Sequence, residues 1–331
     1  MKNIGLLIVL VLACNNIEAQ YSNLGTSGAQ FLQIPVGARA EAMAGAVSGL
    51  IDDASSVFWN PAGITKVRNL DAFFSYMDWF GLFSHSAASL VLNSNDFGSI
   101  AVSIISLNSR SVEITTELEP DGTGRYFDAG DLAIGITYAK YLTDRRGLGI
   151  TAKYIYQRIW NEIAGGFAFD IGTQYRLDFQ NLTIAMTMTN FGSELNFDGP
   201  DLHINIDRSK LIPYTRIVPV KYQTDDYPLP LHFQIGVGFD IYETDFALIR
   251  GAIDATHPND NNERVLFGIE FSFFDRFYLR SGYKYNFDDQ KYTFGAGANL
   301  PVSEIAVYFD YAYSIYDILP GVHRISMNVR F

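Results

Sequence analysis

The sequence has almost no cysteine, and this scarcity limits the chemistry that the protein can perform. Cys14 is the only cysteine, and it lies in an N-terminal segment with the features of an export signal. A chain from which that segment is removed carries no thiol, which excludes disulfides, thiol catalysis and cysteine-ligated metal sites. An exported protein of this kind must be stabilised by ordinary core packing or by a closed sheet.

The N-terminal segment predicts export across a membrane. Lys2 provides a positive charge, and residues 4–13 form an apolar stretch that is too short to span a bilayer and is followed by a small-residue cleavage site. Residues 1–19 are therefore predicted to be a removed signal peptide. In a second interpretation Cys14 is lipidated, although Leu12 is bulky for that consensus.

Long apolar runs and an excess of positive charge are also missing from the rest of the chain. No run of 18 or more apolar residues follows the signal, so we expect no transmembrane helix. The chain has 24 Lys and Arg residues against 36 Asp and Glu residues, and its formal net charge of −12 would repel a phosphate backbone. Nucleic acid is therefore not expected as a partner.

Recognisable catalytic and metal-binding motifs are absent as well. The 5 histidines are scattered without a His-Glu-x-x-His pair, and there is no Gly-x-Ser-x-Gly turn. Residues 257–263 are rich in oxygen ligands but lack the spacing of a calcium loop, so we interpret them as an ordinary solvated loop. We predict a protein that is not an enzyme, with no catalytic residue, no metal and no cofactor.

What the sequence does contain is aromatic residues and regular alternation. Hydrophobic residues make up 48% of the chain and aromatic residues 15%, which excludes disorder and favours strands over helices. Near the C-terminal end, for example, Phe277, Leu279 and Tyr283 share one face, whereas Arg280 and Lys284 share the other. This period of two predicts strands with one apolar and one polar face.

Two folds explain such alternation, a soluble sandwich and a membrane barrel. A sandwich would place Lys, Glu and Ser on its outer face, whereas here the polar face is rich in Gly and the apolar face ends in Tyr or Phe. We therefore predict an all-β protein: a 14-stranded antiparallel transmembrane β-barrel at residues 69–331, in the outer membrane of a Gram-negative bacterium and in contact with its lipid. The predicted strands are 69–78, 84–94, 98–107, 129–142, 147–160, 166–178, 180–190, 229–241, 244–254, 264–274, 276–287, 290–299, 303–313 and 321–331.

The connections between these strands alternate between short and long. Every second connection is a tight turn, such as residues 143–146, and the long connections, such as residues 191–228, all fall at the odd positions. Bacterial barrels have short turns on the periplasmic side and longer loops outside. The pattern therefore supports an even strand count and a first strand that starts at the periplasm.

Residues 20–68, before the barrel, are predicted to form a mostly helical hatch inside the lumen. Residues 38–47 favour a short helix, and Asp52, Asp53 or Ser55 is placed to cap a second turn that ends before Pro61. A rigid turn is expected at Asn60-Pro61-Ala62-Gly63, directly after Trp59. A plain periplasmic linker is the alternative, but a linker would not need these aromatic and turn residues together.

The hatch segment resembles a known family. The similarity covers residues 25–64 and is most specific at residues 37–40, at Asp52-Asp53-Ala54 and at Trp59-Asn60-Pro61-Ala62-Gly63. These motifs resemble the N-terminal region of the PorV/PorQ family, barrels of the Bacteroidetes type IX secretion system that are related to FadL-type channels. The resemblance implies fourteen strands, a lumen hatch, and a non-enzymatic role in type IX protein secretion, with exported cargo C-terminal domains or the translocon pore protein as partners.

Other functions remain open at this stage. A FadL-like channel for hydrophobic small molecules would need an apolar lumen pocket near the hatch, whereas a secretion component would have a plugged lumen and apolar loop tips; a purely structural or adhesive surface barrel is a third possibility. The first connection contains such a tip, and its candidate docking residues are Trp79, Phe80, Leu82 and Phe83. An interfacial aromatic belt is the alternative reading of the same residues.

Overall fold

The structure is a computed structural model that describes residues 24–94, 96–207 and 217–331. The predicted signal peptide and Cys14 lie outside the described residues. Within these ranges, no helix is long and apolar enough to cross a membrane.

Fourteen antiparallel strands close into a barrel, as the sequence predicts. Each strand pairs with its neighbours in the chain, and the last strand pairs with the first, for example Ile325 opposite Tyr76. Closure leaves no unpaired edge, which a membrane-spanning sheet requires. The barrel strands are β1 Leu70–Trp79, β2 Phe83–Ser94, β3 Gly98–Ser109, β4 Ala129–Thr143, β5 Arg146–Ile159, β6 Glu162–Arg176, β7 Thr183–Gly192, β8 His232–Glu243, β9 Ala247–Pro258, β10 Arg264–Phe273, β11 Phe277–Tyr285, β12 Gln290–Val302, β13 Ile305–Tyr316 and β14 Val322–Arg330.

The two faces of the wall differ in the way that the alternation predicts. On β10, Phe267 and Ile269 point outward and are 41% and 47% exposed, whereas the inward Glu270 is buried. Large apolar side chains cover the outer wall all around the barrel, and such a surface is stable only against lipid. The protein is therefore a multi-pass outer-membrane barrel in contact with membrane lipid.

Several strand boundaries differ from the prediction, for example the sixth strand starts at Glu162 and the ninth ends at Pro258, and two of the differences have clear local reasons. The seventh strand starts at Thr183 and not at residue 180, because a 3-10 turn at Phe179–Asn181 places Gln180 and Asn181 at positive φ. The turn expected at residues 300–302 lies instead at residues 303–304, since Val302 still pairs with Ile305. Neither shift moves a residue to the other face of its strand.

The two ends of the barrel are distinct. At one end, here called the turn end, the connections are short, for example residues 144–145 and 303–304. At the other, the loop end, lie the two longest connections, residues 110–128 and 193–231, and each contains a small two-stranded sheet. These sheets are His203–Asp207 with Ile217–Lys221 and Val112–Glu113 with Tyr126–Phe127. By the usual rule, the turn end faces the periplasm and the loop end the exterior.

Short helical segments precede the barrel and lie within its lumen. Helix α1, Ala38–Ala42, is shorter than predicted, because Ala44 and Gly45 adopt positive φ and close it in a Schellman arrangement, with Gly45 N–H donating to the Ala40 carbonyl at 2.9 Å. The described residues also contain short 3-10 helices. Apart from the turn at Phe179, these are Gln30–Gln33, Ala54–Phe58, Pro61–Lys66 and, in a loop, Pro200–Leu202.

Candidate functional site

Residues 37–66, here called the floor segment, fill the lumen by close contact with inward-facing glycines of the wall. A Cβ added at Gly149 would overlap the backbone of Pro61, and one added at Gly172 would overlap the side chain of Asn60. The glycine-rich polar face of the predicted strands thus makes room for this segment. Almost every residue of the segment is buried.

Two side chains of the hatch motif, Asp53 and Asn60, cap its short helices. Asp53 caps the 3-10 helix Ala54–Phe58 by accepting a hydrogen bond from Ser55 N–H at 2.9 Å. Asn60 is fully buried and caps the next helix by accepting from Ala62 N–H at 3.1 Å. Its amide also donates to the carbonyl of Thr173 in β6 at 3.2 Å. Asn60 therefore joins the turn to the barrel wall.

Buried ion pairs hold the floor segment to the wall. Arg39 pairs with Asp52 at 2.8 Å and with Asp53 at 2.9 Å, and Arg330 of β14 reaches the same two carboxylates at 3.3 and 3.4 Å. Arg39 also lies 3.4 Å from Glu270 of β10. Because charges of both signs are paired here, the lumen charges form a structural network between the segment and the wall.

A second cluster surrounds Glu41 on helix α1. Its carboxylate lies 3.1 Å from Lys284 and 3.5 Å from Arg324, and it accepts hydrogen bonds from Ser314 at 2.8 Å and from Gln290. All of these partners belong to β11–β14, so a single side chain ties the helix to four strands. The residues in the cluster are at most 7% exposed.

Above the floor segment, toward the loop end, lies a cavity of about 790 Å³. Its lining combines aromatic and aliphatic side chains from the N-terminal residues and the wall with polar and charged side chains of the wall. The apolar lining residues are Phe31, Leu32, Ile34, Val36, Val57, Phe58, Trp59, Trp79, Phe83, Ile105, Leu107, Leu266, Phe287 and Tyr316. A cavity of this size and lining is typical of sites for small hydrophobic molecules.

Three of the charged groups on the cavity wall, Lys153, Asp170 and Lys284, are in ion pairs. Lys153 pairs with Asp170 at 2.8 Å, and Lys284 pairs with Glu41. Arg264 has no ion pair among the described residues, and its guanidinium lies over the Phe287 ring, 4.1 Å from the centroid. Asp131, which accepts a hydrogen bond from Gln157, and Asp288 and Asp289 also line the cavity, so its apolar lining is interrupted by polar and charged groups.

The aromatic tip of the first connection is less exposed than its sequence suggests. Only Leu82 is exposed, at 62%, whereas Trp79, Phe80 and Phe83 are half-buried. Trp79 and Phe83 line the cavity, and Phe80 packs on Tyr316 of β13 with ring centroids 5.2 Å apart. Of the four candidate docking residues, two therefore line the cavity, one packs on β13, and only Leu82 is exposed at the loop surface.

Residues 24–36, here called the loop-end segment, carry a feature that the sequence did not reveal. Ser27, Gln30 and Gln33 all donate side-chain hydrogen bonds to one carboxylate, that of Asp260, with Gln33 at 3.1 Å. Asp260 is only 5% exposed. Its run, residues 257–263, was expected to be a solvated loop, and for Asp260 that interpretation is wrong, because the carboxylate is covered by the loop-end segment.

The loop-end segment is also positioned by the long loop before β8. Gly28 N–H donates to the Pro228 carbonyl at 2.9 Å, and Gly28 lies so close to the Tyr227 ring that an added Cβ would overlap it. Burial raises the pKa of Asp260, but the hydrogen bonds from Ser27, Gln30 and Gln33 more than offset it, and the pKa falls below its ordinary value. The carboxylate is therefore ionised at neutral pH.

Among the described residues, no cluster of three or more His, Cys, Asp or Glu side chains is placed to hold a metal ion. The site is instead an apolar cavity bounded by wall, floor segment and loop-end segment. The features together define a closed 14-stranded outer-membrane barrel with a plugged lumen and an internal apolar cavity.

Several solved outer-membrane barrels share this fold. The chain resembles the toluene transporter TbuX of Ralstonia pickettii (TM-score 0.56, 10% identity, 89% of this chain and 98% of that one) and the toluene transporter TodX of Pseudomonas putida (TM-score 0.56, 10% identity, 89% and 96%). It also resembles a FadL homologue of Pseudomonas aeruginosa (TM-score 0.52, 10% identity, 90% and 98%). No family model and no curated protein matches the sequence. The fold is FadL-like, and none of these comparisons points specifically to the PorV/PorQ family.

Proposed function

We propose that the protein is a passive, non-enzymatic outer-membrane channel that takes up hydrophobic small molecules. The observation that carries this proposal is the cavity of about 790 Å³, which lies above the floor segment and is lined mainly by apolar side chains. A plug that served only to seal the lumen would not need an apolar chamber above it. Two of the structures that share the fold are named as toluene transporters, which supports a substrate of the same general class.

Tryptophan fluorescence tests binding directly. Of the 3 tryptophans, Trp59 and Trp79 line the cavity, whereas Trp160 lies at a turn of the loop end and is 40% exposed. Bromobenzene, a small apolar heavy-atom quencher, should quench a Trp160→Phe variant in a saturable manner. A variant that retains only Trp160 should show no saturable quenching. Equal, unsaturable quenching of both variants would contradict the proposal.

A filled cavity should abolish uptake in cells. Ala133 of β4 is buried and lines the cavity, and its neighbour Ile134 points to the lipid and is 47% exposed. Ala133→Phe should reduce uptake of a hydrophobic compound to that of a deletion strain, whereas the matched Ile134→Phe should leave uptake unchanged. Full uptake by Ala133→Phe at normal barrel abundance would contradict a route through the cavity.

A role in type IX secretion is the second candidate. It is supported by the resemblance at residues 25–64 and by apolar side chains at the tips of the loop-end connections, where Leu118 is 93%, Ile318 83% and Leu82 62% exposed. Exposed apolar tips of this kind suit docking of a protein partner, such as the translocon pore protein or the C-terminal domain of a cargo.

Gene deletion separates the two candidates. A channel predicts lost uptake of a hydrophobic compound with normal release of cargo, whereas a secretion component predicts cargo trapped in the cell with normal uptake. Replacing Trp79, Phe80, Leu82 and Phe83 by Ser should reproduce the cargo defect only if the secretion role is real. The strain must also lack related barrels, since a paralogue would mask either result.

A further inference from the structure

We propose that the cavity binds hydrophobic molecules that carry one positive charge, such as arylalkyl amines, and that the carboxylate of Asp131 binds their ammonium group. The inference names a substrate class for the channel proposed above and rests on that function. It is carried by the surroundings of Asp131, by the pairing of the nearby cations and by the charge of the loop-end connections.

Asp131 is a carboxylate on the cavity wall, near the loop end. It lies close to the start of β4, a strand that begins at the loop end, and it lines the cavity. Its inward-facing neighbours on the adjacent strands are Leu107 of β3 and Gln157 of β5. The Gln157 amide donates a hydrogen bond to Asp131 Oδ1 at 2.9 Å, and Tyr227 O–H donates to Gln157 Oε1 at 3.2 Å. The Gln157 side chain is thus fixed by Tyr227 and holds the carboxylate in place.

The Asp131 carboxylate is half-buried beside apolar side chains. Ala133, the next inward-facing residue of β4, is buried in the main apolar cluster of the lumen, and Leu107 packs against that cluster. Within the described part of the chain, the bond from Gln157 is the only side-chain hydrogen bond that Asp131 makes. A carboxylate can accept about four hydrogen bonds, and a charge with little access to water is stabilised by an opposite charge. Asp131 therefore retains acceptor capacity for a positively charged group in the cavity.

The cations of the neighbouring strand β5 are paired with other carboxylates. Lys153 lies further from the loop end than Gln157 and pairs with Asp170 at 2.8 Å. Arg158 follows the inward-facing Gln157, so its side chain points outward, where it pairs with Asp128 at 2.7 Å. None of the described residues forms an ion pair with Asp131. The ammonium group of a ligand can therefore serve as the counter-charge of Asp131 without displacing an existing ion pair.

Arg264, the cavity cation without an ion pair, lies on the opposite wall. It is the first residue of β10, and β4 and β10 are on opposite sides of the closed fourteen-stranded barrel. Its guanidinium stacks on Phe287, and the carboxylates of Asp260 and Asp288 lie near enough to attract it. A positively charged ligand group at Asp131 is therefore remote from the repulsion of Arg264.

The charge of the loop end also favours cations. The five longer loop-end connections, which are residues 110–128, 193–231, 259–263, 286–289 and 317–321, each contain more acidic than basic residues. Asp288 and Asp289 in the fourth of these connections also line the cavity. A negative potential at an entrance raises the local concentration of a cationic substrate and repels an anionic one. The loop end and Asp131 therefore favour ligands of the same charge.

Two ligands of the same shape test the preference for a positive charge. The probes are 4-bromobenzylamine, which is protonated at neutral pH, and 1-bromo-4-ethylbenzene, its neutral isostere. In the tryptophan quenching assay with the Trp160→Phe barrel, the amine should bind roughly tenfold more tightly than the isostere, as expected for a charge-assisted hydrogen bond. Equal affinities would overturn the inference and leave the channel function intact. Unsaturable quenching by both ligands would contradict the inference and the channel function together.

Two substitutions test whether Asp131 is the origin of the preference. Asp131→Asn keeps the shape of the side chain and an acceptor for Gln157 but removes the charge, so the affinity for the amine should fall roughly tenfold while that for the isostere stays unchanged. Asp128→Asn is the matched control, because it removes the same charge from a nearby side chain that pairs with Arg158 and does not line the cavity. Heat modifiability shows that each barrel is folded. An amine preference that persists in Asp131→Asn, or an equal loss in Asp128→Asn, would overturn the assignment of Asp131.

Discussion

The loop-end segment and the floor segment are adjacent in the chain, yet the barrel holds them by different means. The floor segment is packed against wall glycines and carries buried charges, such as Glu41, whose partners belong to the strands. The loop-end segment is half-buried; Phe31 and Val36 pack in the apolar core, and its side chains donate hydrogen bonds to one carboxylate, Asp260. Moving the first would leave several ions unpaired in the lumen, whereas moving the second breaks apolar contacts and hydrogen bonds but no ion pair.

This difference between the two segments indicates at which end the cavity can open. A buried carboxylate that loses its cationic partners, or the reverse, costs several kcal/mol, so a plug held in this way rarely leaves its seat. A segment held by apolar contacts and hydrogen bonds, without buried ion pairs, is expected to open with less free energy. The cavity is therefore expected to be accessible from the loop end and closed at the turn end.

The largest effect is expected from the floor segment. Glu41→Ala removes the acceptor of Lys284 and Arg324 and leaves both cations uncompensated, which should destabilise the folded protein by about 3–5 kcal/mol. Thermal unfolding of the purified barrel measures this loss, and the growth of cells in the presence of a large antibiotic reports the leak. Glu41→Gln keeps hydrogen-bonding capacity and should lose less. Wild-type stability of Glu41→Ala would show that the cluster does not anchor the segment.

A smaller effect is expected where the floor segment contacts the wall. Gly149→Val forces the backbone of Pro61 away from β5, with a cost of about 1–3 kcal/mol for overpacking. Ile150→Val, at the adjacent lipid-facing position, is the control and should be nearly neutral. Hydrogen exchange at residues 60–66 should increase in the first variant only. Equal exchange in the two variants would argue against a tight contact at Gly149.

The loop-end segment should respond locally. Asp260→Asn is expected to increase hydrogen exchange across residues 24–36 and to leave the exchange at residues 37–66 unchanged, because the hydrogen bonds to Asp260 are separate from the ion pairs that hold the floor segment. Mass spectrometry of the intact barrel after proteolysis resolves both ranges. Faster exchange in both ranges would mean that the loop-end segment and the floor segment move as one unit, which would contradict the distinction between them.

The smallest effect is expected from pH. The pKa of Asp260 is lowered in the folded protein. The contribution of the Asp260 carboxylate to holding the loop-end segment is therefore fully present above the ordinary pKa of about 3.9 and is lost as the pH falls through the lower folded value. The nearby cations of Arg264, and of His232 when protonated, favour the carboxylate further. Hydrogen exchange at residues 24–36, corrected for the intrinsic pH dependence of exchange, should therefore stay constant from about pH 5 to 8. A marked rise within that range would point to a different titrating group.

Much of the barrel could be predicted from the sequence, because alternation reports directly on the two faces of a membrane strand. Outward Phe267 and inward Glu270 follow the period of two without exception on β10. The hatch turns were also predictable, since Asp53 and Asn60 are cap residues placed directly before Ala54 and Pro61. These features depend on neighbours in the chain, which a single sequence contains.

The cavity and its boundaries were harder to predict from the sequence, because they depend on contacts between residues that are distant in the chain. Asp260 and Ser27 are 233 residues apart, and nothing in the run around Asp260 distinguishes it from a solvated loop. Phe80 is half-buried only because closure of the barrel brings Tyr316 against it. The early end of α1 could have been predicted, since Gly45 is a typical residue for ending a helix. The positive φ of Ala44 could not.

The most direct test of the account is a crystal structure of the barrel soaked with bromobenzene, with the bromine located by its anomalous signal. The account predicts a bromine peak inside the cavity, between the floor segment and the loop-end segment and in contact with Trp59 or Trp79. Ala133→Phe crystals, soaked in the same way, should lack that peak. Bromine peaks confined to the lipid-facing wall, with none in the cavity, would contradict the claim that this barrel binds hydrophobic molecules in its lumen.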